Sequence, residues 1–204
     1  MTEIVYYVAA SLDGFIAGPQ HELDWLQAFD NAGTDYGLAD FMATVEALVM
    51  GRRTCEVVQS LGTWPYGDRP AWVMSRQARP GTGGPPAHVG WGAVSPDDLL
   101  AQWKRQGVRR GWLLGGGDVA GQFLRVGCVH RLMLATMPVT LGAGIPLWGA
   151  LQGLQRERWV QWSYRMYDNG VVTRELWRAT PDAGTAADEG AAHEAPDGFA
   201  QTRA

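Results

Sequence analysis

The sequence predicts an α/β protein in three layers, with a mostly parallel central sheet of mixed edges that ends in an antiparallel hairpin. Three observations carry that prediction. Several short runs are apolar along their whole length and rich in β-branched and aromatic residues, as strands covered on both faces are. Stretches with helical spacing lie between them, and strands alternating with helices give a largely parallel sheet flanked on both faces. Near the C-terminus two longer runs meet at Asn169-Gly170, the strongest short hairpin signal.

Ile4 to Ala10 is the first buried strand, and Ala47 to Met50, Ala71 to Met74 and Trp112 to Leu114 repeat its character. A shorter strand fits Ala87 to Trp91. Leu38, Phe41, Met42 and Val45 recur at i, i+3, i+4 and i+7 and give one helix an apolar face. Ser95-Pro96-Asp97-Asp98 is a helix start, with a capping side chain, proline at the first helical position and acids in the first turn; Leu99, Leu100 and Trp103 follow as its buried stripe. Val129 to Met137 is a long strand, and Trp159 to Met166 with Val171 to Trp177 forms the hairpin. Arg79 to Pro86, crowded with glycine and proline, reads as a surface loop. Residues 1–179 make one domain. Residues 180–204, rich in Ala, Gly, Asp and Glu with one aromatic, cannot bury enough to order themselves and read as a disordered tail.

Composition excludes several classes of function. The net charge is −4 with no basic stripe, which argues against a nucleic-acid partner. Cys55 and Cys128 match no metal or redox spacing, and His21, His88, His130 and His193 are dispersed, so no metal site is expected. No apolar stretch is long enough for a bilayer, and the chain opens on a strand pattern rather than a signal peptide. With two reduced thiols, the expected location is cytoplasmic.

The most informative residues are Gly115, Gly116 and Gly117, between the strand Trp112-Leu113-Leu114 and a helical stretch opening at Asp118. Consecutive residues without Cβ let the backbone come close to something bulky, and a helix N-terminus just beyond presents free N–H groups to an anion. A pyrophosphate is the natural occupant. The alternative is a tight strand-to-helix turn that binds nothing. Gly115 to Ala120 also satisfies G-x-G-x-x-A, but the Asp or Glu that a dinucleotide fingerprint needs about 20 residues on is missing from Ala135 to Thr140.

Two further signals converge with the glycines. Gly51-Arg52-Arg53-Thr54 follows a buried strand and opens a helix, offering N–H groups, a hydroxyl and guanidinium forks. Cations at a helix N-terminus oppose its dipole, and a bound anion would remove the conflict. Ser75-Arg76 follows the strand that begins at Ala71. Ligands of α/β sheets collect beyond the carboxyl ends of the strands, and NADPH, with its extra 2′-phosphate, accounts for all three signals.

Four segments in order make the chain similar to a known family. Ser11-Leu12-Asp13-Gly14-Phe15-Ile16-Ala17, Met50-Gly51-Arg52-Arg53-Thr54-Cys55-Glu56, the triple glycine, and Met137 to Leu147 with its Pro-Val-x-Leu-Gly-x-Gly-x-Pro-Leu pattern resemble segments of the dihydrofolate reductase fold. Within that fold, the likeness is to the reductase domain of the bifunctional riboflavin-biosynthesis deaminase–reductase and its stand-alone bacterial homologues. It covers residues 3–178. The resemblance implies that the backbone of Ala10 meets the nicotinamide carboxamide and that Ile16 and Ala17 cover the ring. It implies that Gly51, Arg52, Arg53 and Thr54 hold phosphates, that Ser75 and Arg76 flank the 2′-phosphate, and that Gly115, Gly116, Gly117, Asp118 and Val119 wrap the pyrophosphate and ribose. It places Trp25, Phe41 and Thr136 at the substrate pocket, and it implies a homodimer.

One departure matters. The family's substrate-gripping acid would stand one turn before Phe41, where this chain has Gly37. Asp35 and Asp40 are the nearest acids and become the candidate catalytic residues; the competing readings are a helix cap for Asp35 and a solvated helix residue for Asp40. The expected activity is NADPH-dependent hydride transfer to a C=N or C=O bond of a small heterocyclic substrate, similar to the reduction of a ribosylaminopyrimidine or of dihydrofolate. The alternative is a non-catalytic nucleotide- or pterin-binding module. Valine at Gly116 is expected to abolish cofactor binding, by excluding any φ > 0 geometry and filling the space the pyrophosphate needs.

Overall fold

Strand β1 (Glu3–Ser11) divides its side chains between two cores, Ile4 and Tyr6 entering one and Val5 the other. Strand β3 (Ala47–Gly51) does the same, with Ala47 and Val49 on one side and Leu48 and Met50 on the other. Continuous apolar runs are thus strands covered on both faces, as the sequence predicts. The structure, a computed structural model, describes residues 2–30, 33–150, 153 and 155–179. The expected tail at 180–204 lies outside the described residues.

The remaining strands are β2 (Phe15–Ala17), β4 (Ala71–Met74), β5 (Gly90–Gly92), β6 (Arg110–Gly115), β7 (Arg131–Met137), β8 (Ile145–Pro146), β9 (Trp159–Met166) and β10 (Val172–Arg178). The main sheet has the order β5-β4-β3-β6-β1-β7-β10-β9. Its pairs are parallel from β5 through β7, and β10 joins β7 and β9 antiparallel. Strands β2 and β8 form a separate antiparallel pair beside it. Helices α3 (Pro96–Arg105) and α4 (Gly117–Arg125) cover one face through Leu99, Trp103, Ala120 and Phe123. Helices α1 (Leu38–Thr44) and α2 (Arg52–Ser60) cover the other through Phe41, Cys55 and Val58. The expected three-layer α/β architecture is therefore present.

The predicted cap of α3 forms, the Asp98 N–H donating to Ser95 Oγ at 3.1 Å. Several boundaries move, each for a tertiary reason. Val45 keeps its buried place, but its backbone is already extended (φ −77°, ψ 127°) as the chain turns into β3. Strand β5 starts at Gly90 rather than Ala87, where Trp72 lies so close that a Cβ would sit 2.3 Å from its ring. Strand β7 starts at Arg131 rather than Val129 because the Ile4 N–H donates to His130 Nδ1 at 3.0 Å instead of to a backbone carbonyl. The loop after Arg79 is tethered by that arginine, which donates to the carbonyls of Pro85, Pro86 and Val89.

Candidate nucleotide-binding and active site

Parallel strands β4, β3 and β6 are consecutive in the sheet, so the three segments expected to bind anions reach one edge of it together. A cleft of about 1040 Å³ opens there, lined by Gly51, Arg52, Arg53, Thr54, Ser75, Arg76, Gly116, Gly117, Asp118 and Val119, with Ile16 and Ala17 across from them. Neither α2 nor α4 carries a side-chain cap; their N-cap residues are Gly51 and Gly116. Both helices therefore present uncapped N-termini to the same cleft, an arrangement suited to a pyrophosphate.

The three glycines do three different things. Gly115 holds φ +108°, which disfavours any side chain. Gly116 is extended (φ −69°, ψ −168°), so the expected need for φ > 0 at this position is wrong; that geometry belongs to its neighbour. A Cβ on Gly116 would meet only Thr54 Oγ1, at 3.5 Å, and would otherwise stand in the cleft. Gly117 is required by the fold itself, since a Cβ there would lie 2.0 Å from the Pro146 carbonyl oxygen and 2.8 Å from the Gly149 nitrogen. The glycine turn is thus open to the cleft at Gly116 and braced by the 146–149 loop at Gly117.

That loop also carries β8, which pairs with β2 and so positions Ile16 and Ala17. The Leu147 N–H donates to the Gly14 carbonyl at 2.9 Å, and Tyr6 OH donates to the Leu147 carbonyl at 3.0 Å. Asp13 fastens the other end: its carboxylate accepts from Ser11 Oγ at 2.6 Å, from the Leu141 N–H at 3.1 Å and from the Gly142 N–H at 2.7 Å. The Ser11 hydroxyl, followed by the Gly142 and Leu141 amides, holds its pKa down to about 2. A depressed carboxylate contributes stability that is present above its unfolded pKa and is lost as pH falls toward the folded value. Asp13→Ala is expected to weaken NADPH binding by about tenfold, through loss of a pre-ordered loop. Binding of 2′,5′-ADP, which lacks the nicotinamide half of the cofactor, should be unchanged; calorimetric titration of both ligands checks this.

Arg52 and Arg53 both pair with Glu56, so the conflict between these cations and the helix dipole is partly met inside the helix. Arg53 contacts Glu56 Oε2 at 3.1 Å and its side chain remains 62% exposed. Both guanidinium groups are therefore held at the cleft mouth. Ser75 is engaged locally, its Oγ accepting from the Gln77 N–H at 3.0 Å.

Other expected site residues lie elsewhere. Ala10 is buried and, like Gly115, does not line the cleft; its neighbours Val8 and Ala9 do. Trp25 packs with Ala135, Met137 and Val171 rather than facing the cleft. Phe41 stands behind the cleft wall, stacked on Tyr7 with ring centroids 4.9 Å apart. Thr136 sits in β7 opposite Ala10 and Val172, away from the lining. Asp35 is a helix cap: its carboxylate accepts from the Gly37 N–H at 3.0 Å and the Ala39 N–H at 2.8 Å, which lowers its pKa. Asp40 is solvent-exposed and does not line the cleft. Neither acid is among the residues that line the cleft.

The cleft wall includes residues that local sequence could not single out, Tyr7, His21, Leu23, Leu26, Leu38 and Trp112. Burial, with Tyr167 and Asp35 nearby, pushes the Tyr7 phenol up to about 12, so it stays protonated and donates to the Tyr36 carbonyl at 3.2 Å. His21 holds φ +71°, an unusual backbone for a side chain, in the turn just after β2. Among the described residues no helix is long and apolar enough to cross a membrane, and no cluster of His, Cys, Asp and Glu could hold a metal.

A sheet with this strand order between two helical layers, a side pair of strands and a cleft at the carboxyl edge define a dihydrofolate reductase-like fold. The chain belongs to the RibD C-terminal domain family, whose model matches residues 2–173. It is 33% identical over 152 residues to the uncharacterized protein YwjB of Bacillus subtilis (strain 168), covering 72% of this chain and 83% of that one. A crystal structure from Shewanella sp. PV-4, whose assignment to riboflavin biosynthesis is itself provisional, superposes with TM-score 0.77 at 28% identity, over 88% of this chain and all of that one. The diaminohydroxyphosphoribosylaminopyrimidine deaminase/5-amino-6-(5-phosphoribosylamino)uracil reductase of Thermotoga maritima shares the fold at TM-score 0.66 and 14% identity. The match covers 87% of this chain and 57% of that protein.

Proposed function

We propose that this protein is an NADPH-dependent reductase acting on a C=N or C=O bond of a small heterocyclic substrate. One observation carries the reading: two uncapped helix N-termini, at Gly51 and Gly116, face one cleft at a point where a Cβ would fill the open space. The residues fit the cofactor, with Arg52, Arg53 and Arg76 available for the adenosine phosphates, Gly116 and the start of α4 for the pyrophosphate, and Ile16 and Ala17 for the nicotinamide face. When bound, NADPH supplies a hydride to the substrate carbon, and the electron pair of the double bond passes to the heteroatom. The protein orients the two reactants and screens them from water. The heteroatom must also gain a proton, and His21 is the imidazole that lines the substrate half of the cleft, with ring nitrogens that can donate a hydrogen bond there.

A second reading, a non-catalytic nucleotide- or pterin-binding module on the same fold, draws support from Gly37 and from the commitment of Asp35 to its cap. Absorbance at 340 nm with pterins, pyrimidine intermediates and carbonyls separates the two. Consumption of NADPH with any of them supports the reductase, and tight binding without consumption supports the module. Cys55 and Cys128 are both buried and unpaired, with thiols pushed up to about 11 chiefly by burial, which fits action in the reducing cytoplasm.

The proposal includes a homodimer. Trp159 and Tyr167 are used internally, against Trp148 and Tyr36. By contrast, Val160, Trp162, Tyr164 and Met166 on the sheet's end strand are each at least half exposed. An apolar end strand of this kind seeks a partner. Light scattering at micromolar concentration is expected to give twice the 22.2 kDa monomer mass, and Trp162→Glu with Tyr164→Glu is expected to return the monomer. A monomer mass for the unmutated protein would refute the dimer.

A further inference from the structure

The cleft is electrostatically divided. Of its cations, Arg52, Arg53 and Arg76 stand on α2 and after β4, at the β3–β4 side assigned to the cofactor, and Arg125 closes the far end of α4, where it donates to the Ala150 carbonyl. Its one carboxylate among the described residues, Asp118, opens α4. The opposite half is walled by Tyr7, Leu23, Leu26, Leu38 and Trp112, with His21 beside them. Leu38 is 38% exposed, an apolar side chain held at the mouth of an open cleft. The Tyr7 hydroxyl is directed to the Tyr36 carbonyl, and Asp35 is bound into its cap.

We infer that this half of the cleft takes a neutral, unphosphorylated ring bearing the C=O or C=N bond to be reduced, and disfavours phosphorylated and pterin ligands. The inference rests on the NADPH reading above. A phosphate dianion set among Leu23, Leu26 and Leu38 would lose its hydration with no cation beside those leucines among the described lining residues to replace it. A pterin would bury its amino-pyrimidine edge with no carboxylate on this side, among the described lining residues, to receive its N–H groups. An apolar ring suits the leucines and can lie against Tyr7 and Trp112, with one hydrogen bond left for His21.

The test uses the whole chain saturated with NADP⁺, which occupies the cofactor side without turnover. Calorimetry then compares 4-methylbenzaldehyde, 4-formylphenyl phosphate and dihydrofolate. The neutral aldehyde is expected to bind at least tenfold tighter than either of the others. Leu38→Arg, at an exposed position that a melting curve can verify as folded, is expected to shift the preference between the two aldehydes at least tenfold toward the phosphate. Equal or tighter binding of the phosphate or of dihydrofolate by the unmutated protein overturns the inference, as does no binding of the neutral aldehyde. These unmutated comparisons decide the matter even if the variant fails to fold. Failure to bind NADP⁺ counts against the cofactor reading instead, and the same ordering measured on the free protein still tests this half of the cleft.

Discussion

Valine at position 116 is expected to abolish measurable NADPH binding while leaving the fold nearly intact. Gly116 is extended, a conformation valine adopts readily, and its Cβ would meet only Thr54 Oγ1, at 3.5 Å. The cost to the fold is that of a poorer N-cap, about 1 kcal/mol, or about 2–4 °C in melting temperature for a domain of this size. The two γ-methyls would occupy the space in front of the α2 and α4 N-termini, and the cofactor would lose several backbone hydrogen bonds at once. Gly117→Ala supplies the contrast, because its Cβ collides with the Pro146 carbonyl and should destabilise the fold itself. Fluorescence titration with NADPH beside a thermal melt separates the two variants. Normal melting with parental NADPH affinity in Gly116→Val would mean that this turn cradles nothing.

Alanine at both Arg52 and Arg76 is expected to erase most of the preference for NADPH over NADH. Each guanidinium can make a charge-assisted contact to phosphate, contributing about 1.5–3 kcal/mol, enough for a tenfold to hundredfold preference. Arg52 already pairs with Glu56, so its gain on binding phosphate is reduced by the contact it exchanges. The loss should appear in the NADPH dissociation constant and leave that of NADH nearly unchanged. An equal loss for both cofactors would place these arginines at the pyrophosphate rather than at the 2′-phosphate.

The parts of this protein that local sequence could reveal are those set by local chemistry. The burial of Ile4, Val5 and Tyr6 on both faces of β1, the Ser95 cap and the Asn169-Gly170 turn all follow from residues close together in the chain. The convergence of Gly51, Ser75 and Gly116 was legible because parallel strands bring their carboxyl ends to one edge. What local sequence hid depends on distant contacts. The need for glycine at 117 comes from Pro146 and Gly149, about thirty residues away. Trp25 turned inward to Ala135 and Val171 while its neighbours Leu23 and Leu26 face the cleft, a rotation that spacing does not predict. His21, one of four dispersed histidines in the sequence, reaches the cleft through the turn after β2.

The central claim is that this cleft holds NADPH by its phosphates. Parallel titrations of the unmutated protein with NADPH and NADH, followed by nicotinamide fluorescence, test it most directly. The account predicts a dissociation constant for NADPH about tenfold to a hundredfold below that for NADH. Equal constants for the two, or no binding of either, would contradict it.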